Sequence, residues 1–167
     1  MWAAVMTRLD IANAVREVAK YCNSPKKVHW RAVLSIIAYL QAHSELGIAF
    51  GGSGEKCELS AFTDASYAGN VDFDRRSVTG GAIMFYDGAI SWMSKTQRVV
   101  ALSSTESEHI ALSSVAQEVI FLRSVLEFVR PSLPSTCIEI FEDNDGACKL
   151  VRSAMSSSRT QHIDIMH

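Results

Sequence analysis

Apolar positions between Asp10 and about Leu46 recur at the spacing of a helix. Ile11, Ala14, Val15, Val18 and Ala19 form one stripe, and Trp30, Val33, Leu34, Ile37 and Leu40 form a second. Asn23-Ser24-Pro25 separates them. Proline has no amide proton to give to a helix, so the pair predicts a helical hairpin with Pro25 in or beside the connection. The pattern ends near Gly47, and Gly51-Gly52-Ser53-Gly54-Glu55-Lys56 reads as a flexible linker or hairpin tip. Beyond it the texture is that of strands. Leu59 to Asp64 reads as a first strand. Two apolar runs, Gly81–Tyr86 and Ala89–Met93, flank the pair Asp87-Gly88 and predict a β-hairpin turning at that pair. Ser103 and Glu106 have capping-box spacing and open a helix that runs to about Val129, stopped by Pro131. Thr136–Phe141 predicts a fourth strand, and residues around Ala147 to Val151 a short helix. Strands, long helix, strand, helix is an α/β order in which the fourth strand can lie parallel to the first. The organisation expected is a helical segment over 1–50, a linker over 51–58 and an α/β unit over 59–167.

Composition fits that picture and narrows the function. A chain of 167 residues, 48% apolar and 20% charged, suits one globular domain with a small helical addition. No apolar run is long enough for a membrane helix, and Met1–Arg8 lacks the basic-then-apolar order of a secretory signal, so no membrane partner and an intracellular site of action are expected. Cys22, Cys57, Cys137 and Cys148 lie far apart without a C-x-x-C, which suggests buried or half-buried thiols rather than a zinc site or disulfides. The net charge of −2 excludes a protein that holds nucleic acid by bulk positive charge. Local basic patches, a metal or a neighbouring domain would have to do that work.

Three acidic residues sit where acids are awkward for folding. Asp64 ends the first strand, and Asp143 ends the fourth. In the long helix, steps of about 3.6 residues from Glu108 meet Leu112, Val115, Val119, Leu122, Leu126 and Val129, all apolar. The same walk from Glu106 meets a mostly polar face. Glu108 is therefore expected to point inward and Glu106 outward, as a cap. An inward carboxylate is costly unless paired, and a divalent metal is the natural partner. Taken singly, Asp64 and Asp143 could cap turns and Glu108 could make a salt bridge. Taken together on a strand, helix, strand frame, the three point to metal-assisted phosphoryl chemistry.

At these residues the chain resembles the ribonuclease H domain, with its preceding connection segment, of Ty1/copia-type retrotransposon Pol polyproteins. The matching segments are Thr63–Gly69, Asp74–Gly80, Ile90-Ser91-Trp92, Val100–Glu108, Glu142-Asp143-Asn144 and Ser158–Ile165, with Ala101–Glu108 the most specific. Thr7–Ala12 resembles the segment that joins the reverse transcriptase to its nuclease, with Leu9 where a proline is usual. The resemblance implies a ribonuclease H-like mixed sheet flanked by helices, two Mg²⁺ ions (with Mn²⁺ able to substitute), and cleavage within the RNA strand of an RNA–DNA hybrid. Asp64, Glu108 and Asp143 take the places of the catalytic, metal-binding carboxylates. A further carboxylate normally follows a fifth strand. The chain is expected to stop short of that strand, so Asp164, which precedes it, ranks below the other three.

Substrate contacts are expected from Arg75 and Arg76 in the loop after the first strand. Lys95 and Gln97 after the third strand, and Arg159 and His162 near the end, complete the set. For each, an exposed surface role is the competing reading, and Trp92 reads as a core aromatic before a groove contact. The partners implied are the hybrid and the reverse transcriptase of the parent polyprotein, and the place a cytoplasmic particle or the nucleus. Two other functions compete: a non-enzymatic remnant or structural, hybrid-binding module of the same fold, and a nuclease or integrase-like transferase acting on plain duplex DNA.

Overall fold

The computed structural model describes residues 1–51, 59–70, 73–131 and 138–153. In chain order its elements are α1 (Trp2–Met6), a 3-10 turn (Leu9–Ile11), α2 (Ala12–Ala19), α3 (Lys27–Ala42), β1 (Leu59–Ser66), β2 (Val78–Phe85), β3 (Gly88–Thr96), α4 (Ser104–Val129), β4 (Glu139–Phe141) and α5 (Asp145–Arg152). Strict alternation makes β1 a strand with one covered side: Leu59, Ala61, Thr63 and Ala65 are buried, whereas Phe62, Asp64 and Ser66 are exposed. β1 pairs antiparallel with β2 and parallel with β4. β2 pairs antiparallel with β3, giving the order β3-β2-β1-β4. The result is a mixed α/β architecture, a four-stranded mixed sheet flanked by five helices, compatible with the ribonuclease H-like fold that the resemblance implies.

The core lies between α4 and the sheet. Leu59, Ala61, Ile83, Val115 and Val119 form its centre, with Phe85, Ile90, Met93, Leu122, Leu126, Ile138 and Ile140 packed around them. The apolar walk along α4 is thus the buried one as far as Leu126, but Val129, at the helix end, is exposed. The helix sits close to β2 because residue 81 is glycine: a Cβ there would stand 2.6 Å from Cγ2 of Val115.

The hairpin turns one residue earlier than expected. Tyr86 and Asp87 both have positive φ, 51° and 62°, and Phe85 pairs with Gly88. This is the primed two-residue turn that suits strand twist. Gly88 serves packing instead: a Cβ on it would lie 2.3 Å from Cδ1 of Phe50. A register shift between Ile83 and Met84 then leaves Ile90 as the extra residue of β3.

The expected hairpin exists as α2 and α3, with Pro25 in the connection, and α1 and the 3-10 turn precede it. These helices dock on β3. The Trp92 indole donates to the carbonyl of Ala4 at 2.7 Å, and Arg16 Nε donates to Ser94 Oγ at 3.1 Å. Arg8 is buried, held by Asp10 at 2.8 Å and 3.0 Å and donating to the carbonyl of His43 at 3.0 Å. The covered line of α3 is Val33, Ile36 and Leu40; Trp30, Leu34 and Ile37 of the expected stripe remain exposed. The stripe is therefore rotated, because α3 is covered along one narrow line only. Cys22 is exposed rather than buried, and Cys148 is half-buried. Among the described residues no helix is long and apolar enough to cross a membrane.

Candidate metal centre

β1 and β4 run side by side as far as the pair Phe62↔Phe141. Two residues further along each chain segment stand Asp64, within β1, and Asp143, just past the end of β4, so the parallel register delivers both carboxylates to the same end of the sheet. Phe62 and Phe141 stack at 5.0 Å between ring centroids just behind them. The third carboxylate comes from α4, whose start is fixed by its cap. Ser103 Oγ accepts from the amide of Glu106 at 3.1 Å, while Glu106 accepts from the amide of Leu102. That second bond buries Glu106, at 5% exposure, where the sequence pattern had placed it outward. A capping carboxylate that folds back on the chain is covered by the chain it caps.

Glu108 is inward, as expected, at 6% exposure. Ligand oxygens of Asp64, Glu108 and Asp143 all lie within 4.8 Å of one another. Desolvation pushes the Glu108 carboxyl up to about 7, reinforced by the negative charges of Glu142, Asp64 and Asp143; a backbone hydrogen bond from Ala65 works the other way. Its Oε2 is buried without a hydrogen-bond partner. Glu142, which sequence reasoning passed over, is the neighbour it missed. Its Oε1 accepts from the amide of Asn144 at 3.0 Å, its Oε2 is buried without a partner, and burial raises its pKa. Its position beside Asp143 at the strand end was the available signal. Asn144 in turn caps α5, accepting from the amide of Ala147 at 3.0 Å.

The remaining expected site residues are scattered. Arg75 is exposed with a left-handed φ of 57° in the loop between β1 and β2. Arg76 is spent within that loop on Asp74, whose carboxyl Asn70 and then Arg76 hold below its usual range. Lys95 is exposed on β3. Gln97 is not on the surface: at 4% exposure it donates to Ser107 O at 2.9 Å and Thr79 Oγ1 at 3.2 Å. Buried amides are held by such bonds, which leaves Gln97 none of the freedom a substrate contact needs. Trp92 is half-buried against α1. Arg159, His162 and Asp164 lie outside the described residues. Arg152 joins Asp64, Glu142 and Asp143 in lining one open cleft.

No family model matches the chain, and no solved structure does. Curated proteins do. The chain is 40% identical over its whole length to the retrovirus-related Pol polyprotein from transposon TNT 1-94 of Nicotiana tabacum, of which it spans 12%. It is 33% identical over 94% of its length to the Pol polyprotein from transposon RE2 of Arabidopsis thaliana, spanning 11% of that protein. It is also 40% identical over 73% of its length to a Plasmopara viticola protein named secreted RxLR effector protein 161, and there the match takes in 84% of the relative. The chain therefore belongs to a family of homologous sequences found as a short segment of Ty1/copia-type retrotransposon Pol polyproteins and, over 84% of that protein's length, in the protein named secreted RxLR effector protein 161.

Proposed function

We propose that the chain is the ribonuclease H unit of a retrotransposon Pol polyprotein, hydrolysing the RNA strand of RNA–DNA hybrids with two Mg²⁺ ions, for which Mn²⁺ can substitute. The observation that carries this reading is the orphaned Oε2 of Glu108, buried and grouped with Asp64 and Asp143. A buried carboxylate oxygen with no donor is expensive, and a hard cation is the partner that fits an all-oxygen set. Asp64, Glu108 and Asp143 would hold the metal, which when bound supplies an activated water and charge stabilisation for an in-line phosphoryl displacement. The chain's own part is geometric. β1 and β4 fix two carboxylates at one sheet end, α4 sets the third, and the two exposed ones leave the site open to a phosphate. Asp64 and Asp143 face solvent, whereas Glu108 must lose a proton held up to about pH 7 before it can ligate.

The hybrid would be read by its shape and by the 2′-hydroxyls of one strand, with Arg75 and Lys95 as the exposed cations. In this reading the partner domain is the polyprotein's reverse transcriptase, and the place of action a cytoplasmic particle or the nucleus. The test is hydrolysis of a labelled RNA–DNA hybrid with Mg²⁺ by this chain and by its Asp64→Asn variant. Cleavage of the RNA strand that Asp64→Asn abolishes is expected. A folded chain that leaves the hybrid intact would sink the proposal and favour the second reading, a non-enzymatic module. One observation supports that alternative: the Plasmopara viticola relative, matched over 84% of its length, is named a secreted effector protein.

A further inference from the structure

We infer that Gln97 is a positioning residue that sets where Glu108 stands relative to β1, an inference that rests on the metal-centre reading. Its amide nitrogen bridges two elements, donating to Thr79 Oγ1 on β2 at 3.2 Å and to Ser107 O on α4 at 2.9 Å. Ser107 immediately precedes Glu108, and Thr79 is the register partner of Ala65, which immediately follows Asp64. The Glu108 carboxylate takes a backbone hydrogen bond from that same Ala65. These links close a ring: Ala65 faces Thr79 across the ladder, Thr79 Oγ1 and Ser107 O both accept from Gln97, Ser107 adjoins Glu108 along the chain, and Glu108 accepts from Ala65. Glu108 is one corner of it, and Asp64 is one residue from another, Ala65.

The main chain of Gln97 is fixed as well, its amide donating to Ser77 O at 2.9 Å, while Ser77 Oγ accepts from Ala68 N at 3.1 Å. Thr79, Gln97 and Ser107 are all buried, so no water competes for these bonds. Ser107 O can only accept, which fixes the amide nitrogen on its side. The cost is visible at the other end, where Gln97 Oε1 is buried without a partner. An apolar side chain of similar size would avoid that cost, so packing alone does not call for glutamine here. What the glutamine adds is a tie between the helix that carries Glu108 and the sheet that carries Asp64.

The experiment uses the full chain and Mn²⁺ as probe. Binding is measured by the paramagnetic signal of the free ion, in wild type, Gln97→Leu, Glu108→Gln and the double variant, with folding checked by circular dichroism. Gln97→Leu is expected to weaken Mn²⁺ binding tenfold or more, in the range found when a group that orients a metal ligand is lost. It should cause no further loss once Glu108→Gln is present. Hydrogen exchange of the Ala65 amide, read without metal, should quicken several-fold. If Gln97→Leu lowers the melting temperature but leaves Mn²⁺ affinity and Ala65 exchange unchanged, the inference is overturned and Gln97 is ordinary scaffolding. If wild type binds no Mn²⁺ that Asp64→Asn removes, the metal-centre reading fails, and Ala65 exchange alone decides the positioning role. Should Gln97→Leu not fold, Gln97→Glu keeps the shape but cannot donate to Ser107 O when ionised, and the same losses are expected of it above neutral pH.

Discussion

Glu108 is a carboxyl whose neutral form the fold prefers. Its pKa stands at about 7 against an ordinary 4.5. Because the folded value exceeds the unfolded one, the proton stabilises the native state at low pH, and that contribution fades as pH rises from about 4.5 through 7. The metal-free protein should therefore lose stability over that window, and Glu108→Gln should flatten the loss; urea melts at stepped pH values read both. Metal affinity should run the other way, rising with pH until Glu108 is ionised near 7 and levelling beyond it, as titration with Mn²⁺ at several pH values would show. A melt that is flat for wild type over this window would contradict the desolvation of Glu108. Among single residues, the sequence revealed the three carboxylates through their odd company, since an acid on an apolar stripe is visible in one dimension. It did not reveal that Gln97 is buried or that Glu142 crowds the centre. Both depend on which element lies over them.

Elements here are defined by small devices at their ends. Ser103→Ala removes the side-chain acceptor for the Glu106 amide and should cost about 1 kcal/mol, measured by denaturant unfolding. Gly81→Ala should cost about 1–3 kcal/mol in the same assay, because its Cβ would meet Val115 at 2.6 Å and α4 would have to move. An unchanged midpoint for Gly81→Ala would mean that α4 is held less closely than the structure shows. The span of α4 was legible from periodicity and its cap, and α5 and the β2–β3 hairpin as elements, although β2 begins at Val78 and β3 runs to Thr96, each three residues beyond the expected runs. The turn was misplaced by one residue because an Asp-Gly pair signals a turn by type, whereas here Phe50 claims the glycine for its ring. The rotated stripe of α3 was illegible for a similar reason: too many of its positions are apolar for a pattern to say which line is covered. Arg8 and α1 gave no periodic signal, and their order comes from tertiary bonds to His43 and Trp92, with a local pair between Arg8 and Asp10.

For the whole molecule, the Asp64, Glu108 and Asp143 cluster draws on β1, α4 and the segment after β4, three parts far apart in sequence. Binding there should stabilise the fold as a unit. A divalent ion at 100 times its dissociation constant would add about 2.7 kcal/mol, seen as a higher melting temperature with Mg²⁺ or Mn²⁺. The gain should vanish in Asp64→Asn; an equal gain in that variant would place the ion elsewhere. The docking of the N-terminal helices on β3 has a separate consequence. Joining residues 59 onward to a foreign partner would leave the Trp92 indole without the Ala4 carbonyl that accepts its hydrogen bond, and Ser94 without Arg16. A cut between helices and sheet would therefore leave polar groups of both without the partners the fold gives them.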